Sequence, residues 1–267
     1  VNLVRRPGAP FVVTAPGGRV LVEGTDFEPV RDPGLGTHPY KGEYDVWHEP
    51  PTIRMKGAWP DGTPLRVSYH HGATVYEGQA NICPSEPRTV ELLEDQARRV
   101  HRAWGARGYM MSHDEIRVYN WCAACQARHL TAGQMLADNV RTCVRILHEV
   151  NPGGRIYTWS DMFDPNHNAV PGPYYLVRGS YEGAWEGLSP EVTLLQWNAG
   201  RKDRSLAFFA ERGHPQIIAG YYDGPVDEVR GWLEAAGRVR GVTGVMYTTW
   251  RSNYADLEAF ARLIAPR

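Results

Sequence analysis

The sequence predicts an α/β fold of the (β/α)8 TIM-barrel type, readable as six β/α units behind an N-terminal β-rich segment. Three observations predict it. From residue 65 onward short apolar runs alternate with segments of helical period, the pattern of a parallel sheet with crossover helices. Neither a G-x-G-x-x-G turn nor a P-loop follows any of these runs, which argues against a dinucleotide-binding open sheet. And each apolar run ends in polar or aromatic residues, as expected where the C-terminal rim of a barrel is the active face.

Residues 1–60 are rich in Pro and Gly and show no helical period, so they read as a β-rich subdomain or long loops. Within them Phe11–Thr14, Gly17-Gly18 and Arg19–Val22 read as a hairpin, and Ile53–Met55 as a short strand. Residues 61–267 are expected to form the barrel domain. Leu65–Tyr69 reads as its first strand, followed by a helix over about 88–104 with Val90, Leu93, Ala97, Val100 and Trp104 on one face. Gly108–Met111 is the next strand. The helix over about 132–150 opens on a capping-box pair, Thr131 and Gln134, carries Leu136, Val140, Cys143, Leu147 and Val150, and stops at Asn151-Pro152-Gly153. Arg155–Trp159 is a strand, with a helix and a long loop expected before Val192–Leu195. Gln216–Ala219 and Val245–Tyr247 are the last strands, with helices over about 204–212 and 226–239 and a final one carrying Leu257, Phe260 and Ile264. Closing a barrel takes eight strands. Residues 1–60 lack an amphipathic helix, so the two remaining strands are expected from a preceding segment or from a second copy in a homo-oligomer.

A formal net charge of −1 gives no electrostatic case for nucleic acid or an anionic membrane as partner. No run of about 18 apolar residues is present, so no helical membrane span is expected. No signal peptide is visible, and a chain starting at Val1 rather than Met reads as processed or trimmed. The compartment is left open, with a secreted or periplasmic setting fitting a processed chain. Nine Trp and 14 Tyr supply enough rings for both a core and a sugar-binding cleft, where an aromatic face packs on the C–H face of a pyranose.

The sharpest chemical feature is Ser112-His113-Asp114-Glu115, where consecutive ionisable groups end an apolar strand and are costly unless solvated or used. Cleaving a glycosidic bond takes one carboxyl to protonate the leaving oxygen and a second group to attack or stabilise the anomeric carbon. A strand ending in such an Asp-Glu pair, with Tyr221 or Tyr222 and Trp250 at later strand ends, resembles the family 20 glycoside hydrolases, the β-hexosaminidases, and their clan. That family carries the pair on its fourth barrel strand and usually has two glycines before it, where this chain has Ser112-His113. The resemblance implies cleavage of an oligo- or polysaccharide at an N-acetylhexosaminide. Glu115 would be the general acid/base and Asp114 would polarise the 2-acetamido group as internal nucleophile. A rim Tyr would hold the acetamide oxygen, and Trp250 would floor the pocket.

If the reaction is not substrate-assisted, Asp161 is the second carboxylate expected across the rim. His70 and His71, His113, Trp159, Trp197, Asn198, Tyr221, Tyr222 and Trp250 are the candidate substrate contacts, each at a strand end. Asp223 reads as a cap for the helix after Pro225. No cofactor motif is present and none is expected. Two other readings stand beside the hydrolase. One is a metal-dependent hydrolase using His113, Asp114, Asp161 and a rim His. The other is a barrel that binds carbohydrate without cutting it.

Cys122-x-x-Cys125, with Cys83 and His129, has the makings of a structural zinc site, of a disulfide, or of plain thiols, and the spacing does not decide between them. Cys143 falls on a helix's apolar stripe and is expected to pack there.

Overall fold

The computed structural model describes residues 3–5, 7–32, 50–71, 74–75, 79–80 and 82–265. The chain divides into two compact units, Val1–Ile82 and Cys83–Arg267.

In the first unit, β2 (Val12–Thr14) pairs antiparallel with both β3 (Val20–Leu21) and β4 (Arg66–Ser68). The β2–β3 turn passes through Gly17 and Gly18, both at positive φ, which is why two glycines stand there. Strand β1 (Leu3–Val4) pairs with β5 (His70–His71), and β6 (Thr74–Val75) with β7 (Gln79–Ala80), again antiparallel. Leu3, Val13, Leu21, Phe27 and Val30 form the core of this unit. Met55 contributes only an isolated bridge to Phe27. This corrects the expected boundary near residue 60. The run 65–69 is not a barrel strand: half-buried Val67 lies opposite the fully buried Val13 in an antiparallel register, so it belongs with the N-terminal hairpin.

The second unit is a mixed α/β structure around one five-stranded, all-parallel sheet. Its strands are β8 (Gly108–Met110), β10 (Arg155–Trp159), β12 (Thr193–Gln196), β13 (Gln216–Ile218) and β14 (Val242–Val245). They lie in the order β14-β13-β12-β10-β8, so each new strand adds to the same growing edge without reversal. Two short strands, β9 (Val118–Tyr119) and β11 (Leu176–Val177), pair parallel to each other outside this sheet.

The helices are α1 (Pro87–Trp104), α2 (Ala123–Gln126), α3 (Ala132–Val150), α4 (Lys202–Glu211), α5 (Val229–Ala236) and α6 (Leu257–Ile264). Helix α1 starts with Pro87 at its first turn and stops at Gly105 in the left-handed region. Its stripe of Val90, Leu93, Ala97 and Val100 is half-buried, but Trp104, assigned to the same face by period, stands exposed. Helix α3 opens with the capping box as expected. Gln134 N–H donates to Thr131 Oγ1 at 3.1 Å, and Thr131 N–H to Gln134 Oε1 at 3.0 Å. Its buried face is wider than the sequence stripe: Met135, Ala137, Val144 and Ile146 join Leu136 and Val140.

No α-helix is described between β10 and β12, where one was expected. The chain instead runs through a short helical turn at Asp161–Phe163, strand β11 and a second turn at Ala184–Gly187. Helix α3 packs directly on that second turn. A Cβ at Gly187 would lie 2.4 Å from both the Cα and the carbonyl oxygen of Ala137. Gly187→Ala is therefore expected to lower stability by roughly 1–3 kcal/mol through overpacking against a helix backbone. Urea unfolding measures it, and an unchanged midpoint would contradict this packing.

Candidate active site

Strand β8 is held to β10 up to its last residues, and then turns sharply. Met111 N–H donates to Tyr157 O, and Trp159 N–H and Thr158 Oγ1 both donate to Ser112 O at 3.0 and 2.7 Å. Beyond this clamp Ser112, His113 and Glu115 take φ of +68°, +60° and +42°. Left-handed backbone costs a non-glycine residue roughly 1–2 kcal/mol, and three in four positions mark a segment held in an unfavourable path by its surroundings. The path sends successive side chains in different directions. His113 goes inward, its Nε2 3.0 Å from Asn139 Oδ1 on α3, and burial holds its pKa below the usual histidine value. Asp114 and Glu115 go to a pocket.

That pocket, about 300 Å³, is lined by Asp114, Glu115, Trp159, Trp197, Tyr222 and Trp250. It lies at the small end of the roughly 300–1,000 Å³ range of ligand sites. Each strand of the parallel sheet supplies a part of it, always from its C-terminal end: the two carboxylates follow β8, Trp159 ends β10, Trp197 follows β12, Tyr222 follows β13 and Trp250 follows β14. Ser112 Oγ donates to Asp114 Oδ1 at 2.7 Å, and Arg117 forms an ion pair with Glu115.

Behind the pocket lies Asp161, fully buried. Its Oδ2 accepts from Glu115 N–H and Asn168 Nδ2, both at 3.0 Å, and its Oδ1 accepts from Trp197 Nε1 at 3.3 Å. One carboxyl thus fixes the backbone of the acidic pair and the tilt of a pocket wall. Burial pushes Asp161 up to about 7, with the Glu115 N–H and the Trp197 indole pulling it back and nearby Asp114 adding to the rise. This corrects its expected place as a second carboxylate facing substrate.

The aromatic wall is continuous. His167 meets Trp197 edge-on at 4.6 Å between ring centres, Trp197 lies 6.0 Å from Tyr222, and Tyr222 lies 5.8 Å from Trp250. Burial lowers His167 to about 4, so it serves as a neutral ring at neutral pH, and burial pushes Tyr222 up to about 12. Trp250, two-thirds exposed, is held from its backbone: Trp250 and Arg251 N–H donate to Asp223 Oδ2 at 2.6 and 3.1 Å, and Thr249 Oγ1 donates to Asp223 Oδ1. Asp223 is therefore the anchor of the Trp250 loop and not the cap of α5.

Several expected contacts lie elsewhere. Tyr221 is a core residue, stacked on Tyr247 at 4.4 Å with its hydroxyl donating to Asp256 at 2.9 Å; of the tyrosine pair only Tyr222 reaches the pocket. Asn198 closes a turn by accepting from Gly200 N–H and does not line the cavity. His70 and His71 sit on the antiparallel strand β5 of the first unit, not at the end of a parallel strand. The set His113, Asp114, Asp161 and a rim His does not form a cluster of metal-ligand atoms among the described residues, because His113 and Asp161 are both committed inward. His129 is exposed and stands apart from the three clustered cysteines. Cys143, on α3, is half-buried. Sequence reading missed Arg117, whose position two residues beyond Glu115 carries no motif, and the anchoring role of Asp223, whose neighbours Gly224-Pro225 pointed to a helix start.

Asp161 makes a pH prediction. Its folded value of about 7 lies above the roughly 3.9 of an unfolded Asp, so the folded chain holds the extra proton. The contribution of Asp161 to stability is expected to be fully present below about pH 4, to be lost as pH rises towards about 7, and to level beyond it. The total change is on the order of 4 kcal/mol. Asp161→Asn is expected to flatten that slope in urea unfolding followed across pH, and an unchanged slope would contradict the assignment.

No protein family model matches the chain, and no curated protein matches it in sequence.

Proposed function

We propose that this protein is a glycoside hydrolase whose substrate sugar sits in the aromatic pocket over Asp114 and Glu115. The observation that carries the reading is the composition of that pocket: two carboxylates among three indoles and a phenol, with every strand of the parallel sheet contributing at its C-terminal end. Flat rings bind the apolar faces of a pyranose, and the carboxylates supply the proton transfer and charge stabilisation that an oxocarbenium-like transition state needs.

In this reading Glu115 protonates the leaving oxygen and then activates water. Arg117, which contacts Glu115, would release it or turn onto the sugar as the carboxyl meets the leaving oxygen. Asp114, steadied by Ser112, faces the reacting sugar and orients a 2-acetamido group as internal nucleophile, as the likeness to the β-hexosaminidase clan implies. Asp161 is a positioning residue, acting through the Glu115 backbone and Trp197.

The same reading takes the five parallel strands as strands four to eight of a (β/α)8 barrel. Their order follows the chain without the reversal that defines a doubly wound sheet. The acidic pair follows the first of the five, which matches the fourth strand of the resembling clan. Three further strands between β8 and β14 would close the wall, supplied by protein outside the described residues or by a second copy.

Glu115→Gln is expected to lower kcat/KM on chromogenic aryl β-N-acetylhexosaminides by about 10²–10⁴-fold. Circular dichroism and sugar-dependent Trp fluorescence should stay near wild type. Near-normal turnover by this variant, or wild-type protein that binds sugars but cleaves none across a panel of aryl glycosides, would overturn the proposal.

A further inference from the structure

The proposed hydrolysis uses none of the three cysteines that the fold brings together. Cys83 Sγ lies 3.0 Å from Cys122 Sγ and 3.5 Å from Cys125 Sγ, and all three sulfurs fall within 4.8 Å of one another. Among the described residues no other group of three or more His, Cys, Asp or Glu converges in this way. Cys83 comes from the stretch just before α1, and the other two from the turn that forms α2.

The turn carrying Cys122 and Cys125 is built in advance of any ligand. Asn120 takes a left-handed φ of +66° and is fixed on both sides: Gln126 Nε2 donates to its carbonyl and to its Oδ1, and its own Nδ2 donates to Arg178 O at 3.1 Å. Trp121 Nε1 donates to Leu176 O, and β9 pairs with β11 alongside. The turn is thereby tied to a strand more than fifty residues away in sequence. Polar groups already face the sulfurs. Cys125 N–H donates to Cys122 Sγ at 3.5 Å, and Ser85 Oγ lies 3.3 Å from Cys125 Sγ. Hydrogen bonds of this kind orient a thiolate and offset its charge.

A disulfide would account for two of the three sulfurs and leave the third aimed at a bond it cannot join. A shared ion accounts for all three. Zn–S bonds of about 2.3 Å in a tetrahedral arrangement put sulfurs roughly 3.8 Å apart, within small side-chain rotations of the observed spacing. We infer that Cys83, Cys122 and Cys125 bind a zinc ion as three thiolates. The fourth position, beside the exposed Cys122, is open to a water molecule. Binding releases three thiol protons and leaves a zinc–trithiolate of net charge −1. The ion would staple the lead into α1 to the α2 turn.

The test uses the full chain, purified under reducing conditions, with zinc and cobalt as probes. One zinc per chain is expected to survive gel filtration. Cobalt titration of the metal-stripped wild type is expected to give a thiolate-to-cobalt charge-transfer band together with the visible absorption of a tetrahedral ion, saturating at one per chain. Cys83→Ser, Cys122→Ser and Cys125→Ser should each weaken or abolish the band, and Cys143→Ser should keep it. Absence of retained zinc together with no cobalt band in reduced wild type would overturn the inference. So would a band that survives all three serine variants. The wild-type titration decides even if a serine variant fails to fold. A disulfide within the trio that reforms on air oxidation, in protein that binds neither metal when reduced, would assign the cluster to redox chemistry instead.

Discussion

A single buried carboxyl organises the pocket. Asp161 has no solvent of its own, so its oxygens take their partners from the segments around it: the backbone of the acidic pair, the amide of Asn168 and the indole of Trp197. These groups come from three different strand ends or loops. Burying a carboxyl without such partners would cost several kcal/mol. The partners are therefore constrained to be where they are as firmly as Asp161 is. The left-handed backbone at Ser112, His113 and Glu115 is sustained by the same bonds, together with the clamp of Thr158 and Trp159 on Ser112. Strain and satisfaction balance within one small region, which is where local unfavourable geometry is characteristically stored.

The parts of the fold that could be read from sequence were those governed by local chemistry. The Thr131–Gln134 cap and the glycine turn at Gly17-Gly18 follow from short-range rules. So did the succession of apolar parallel strands from Gly108 onward. What escaped was non-local. The run at 65–69 has the composition of any strand, and only its pairing with Val12–Thr14 places it in the first unit. A helix was expected after Trp159, yet that segment forms turns that meet α3 and the network around Asp161.

The same division runs through the site. Asp114, Glu115, Trp159, Trp197, Tyr222 and Trp250 were legible because all sit at or just past the C-terminal ends of apolar runs. Which neighbour in a pair faces the cavity was not. Tyr221 and Tyr222 are chemically alike, but the first packs on Tyr247 and Phe260 and the second opens to solvent. His113 is polar and precedes two pocket residues, but the left-handed turn rotates it towards Asn139. Orientation at a strand end depends on backbone angles that composition does not encode.

The breadth of the pocket has a mechanical origin. Strands β8 and β14 stand four ladder spacings apart, about 19 Å measured along a flat sheet at roughly 4.8 Å per step. Yet residues following each of them share one cavity of about 300 Å³. Long side chains, the loop stretches from Met110 to Glu115 and from Val245 to Trp250, and the ordinary twist of a sheet together span that distance. The gap between the carboxylates and Trp250 is thus set jointly by the reach of two loops and the twist of the sheet beneath them. A core substitution far from the pocket, if it changed that twist by a few degrees per strand, would alter the width of the cleft without changing a single lining residue.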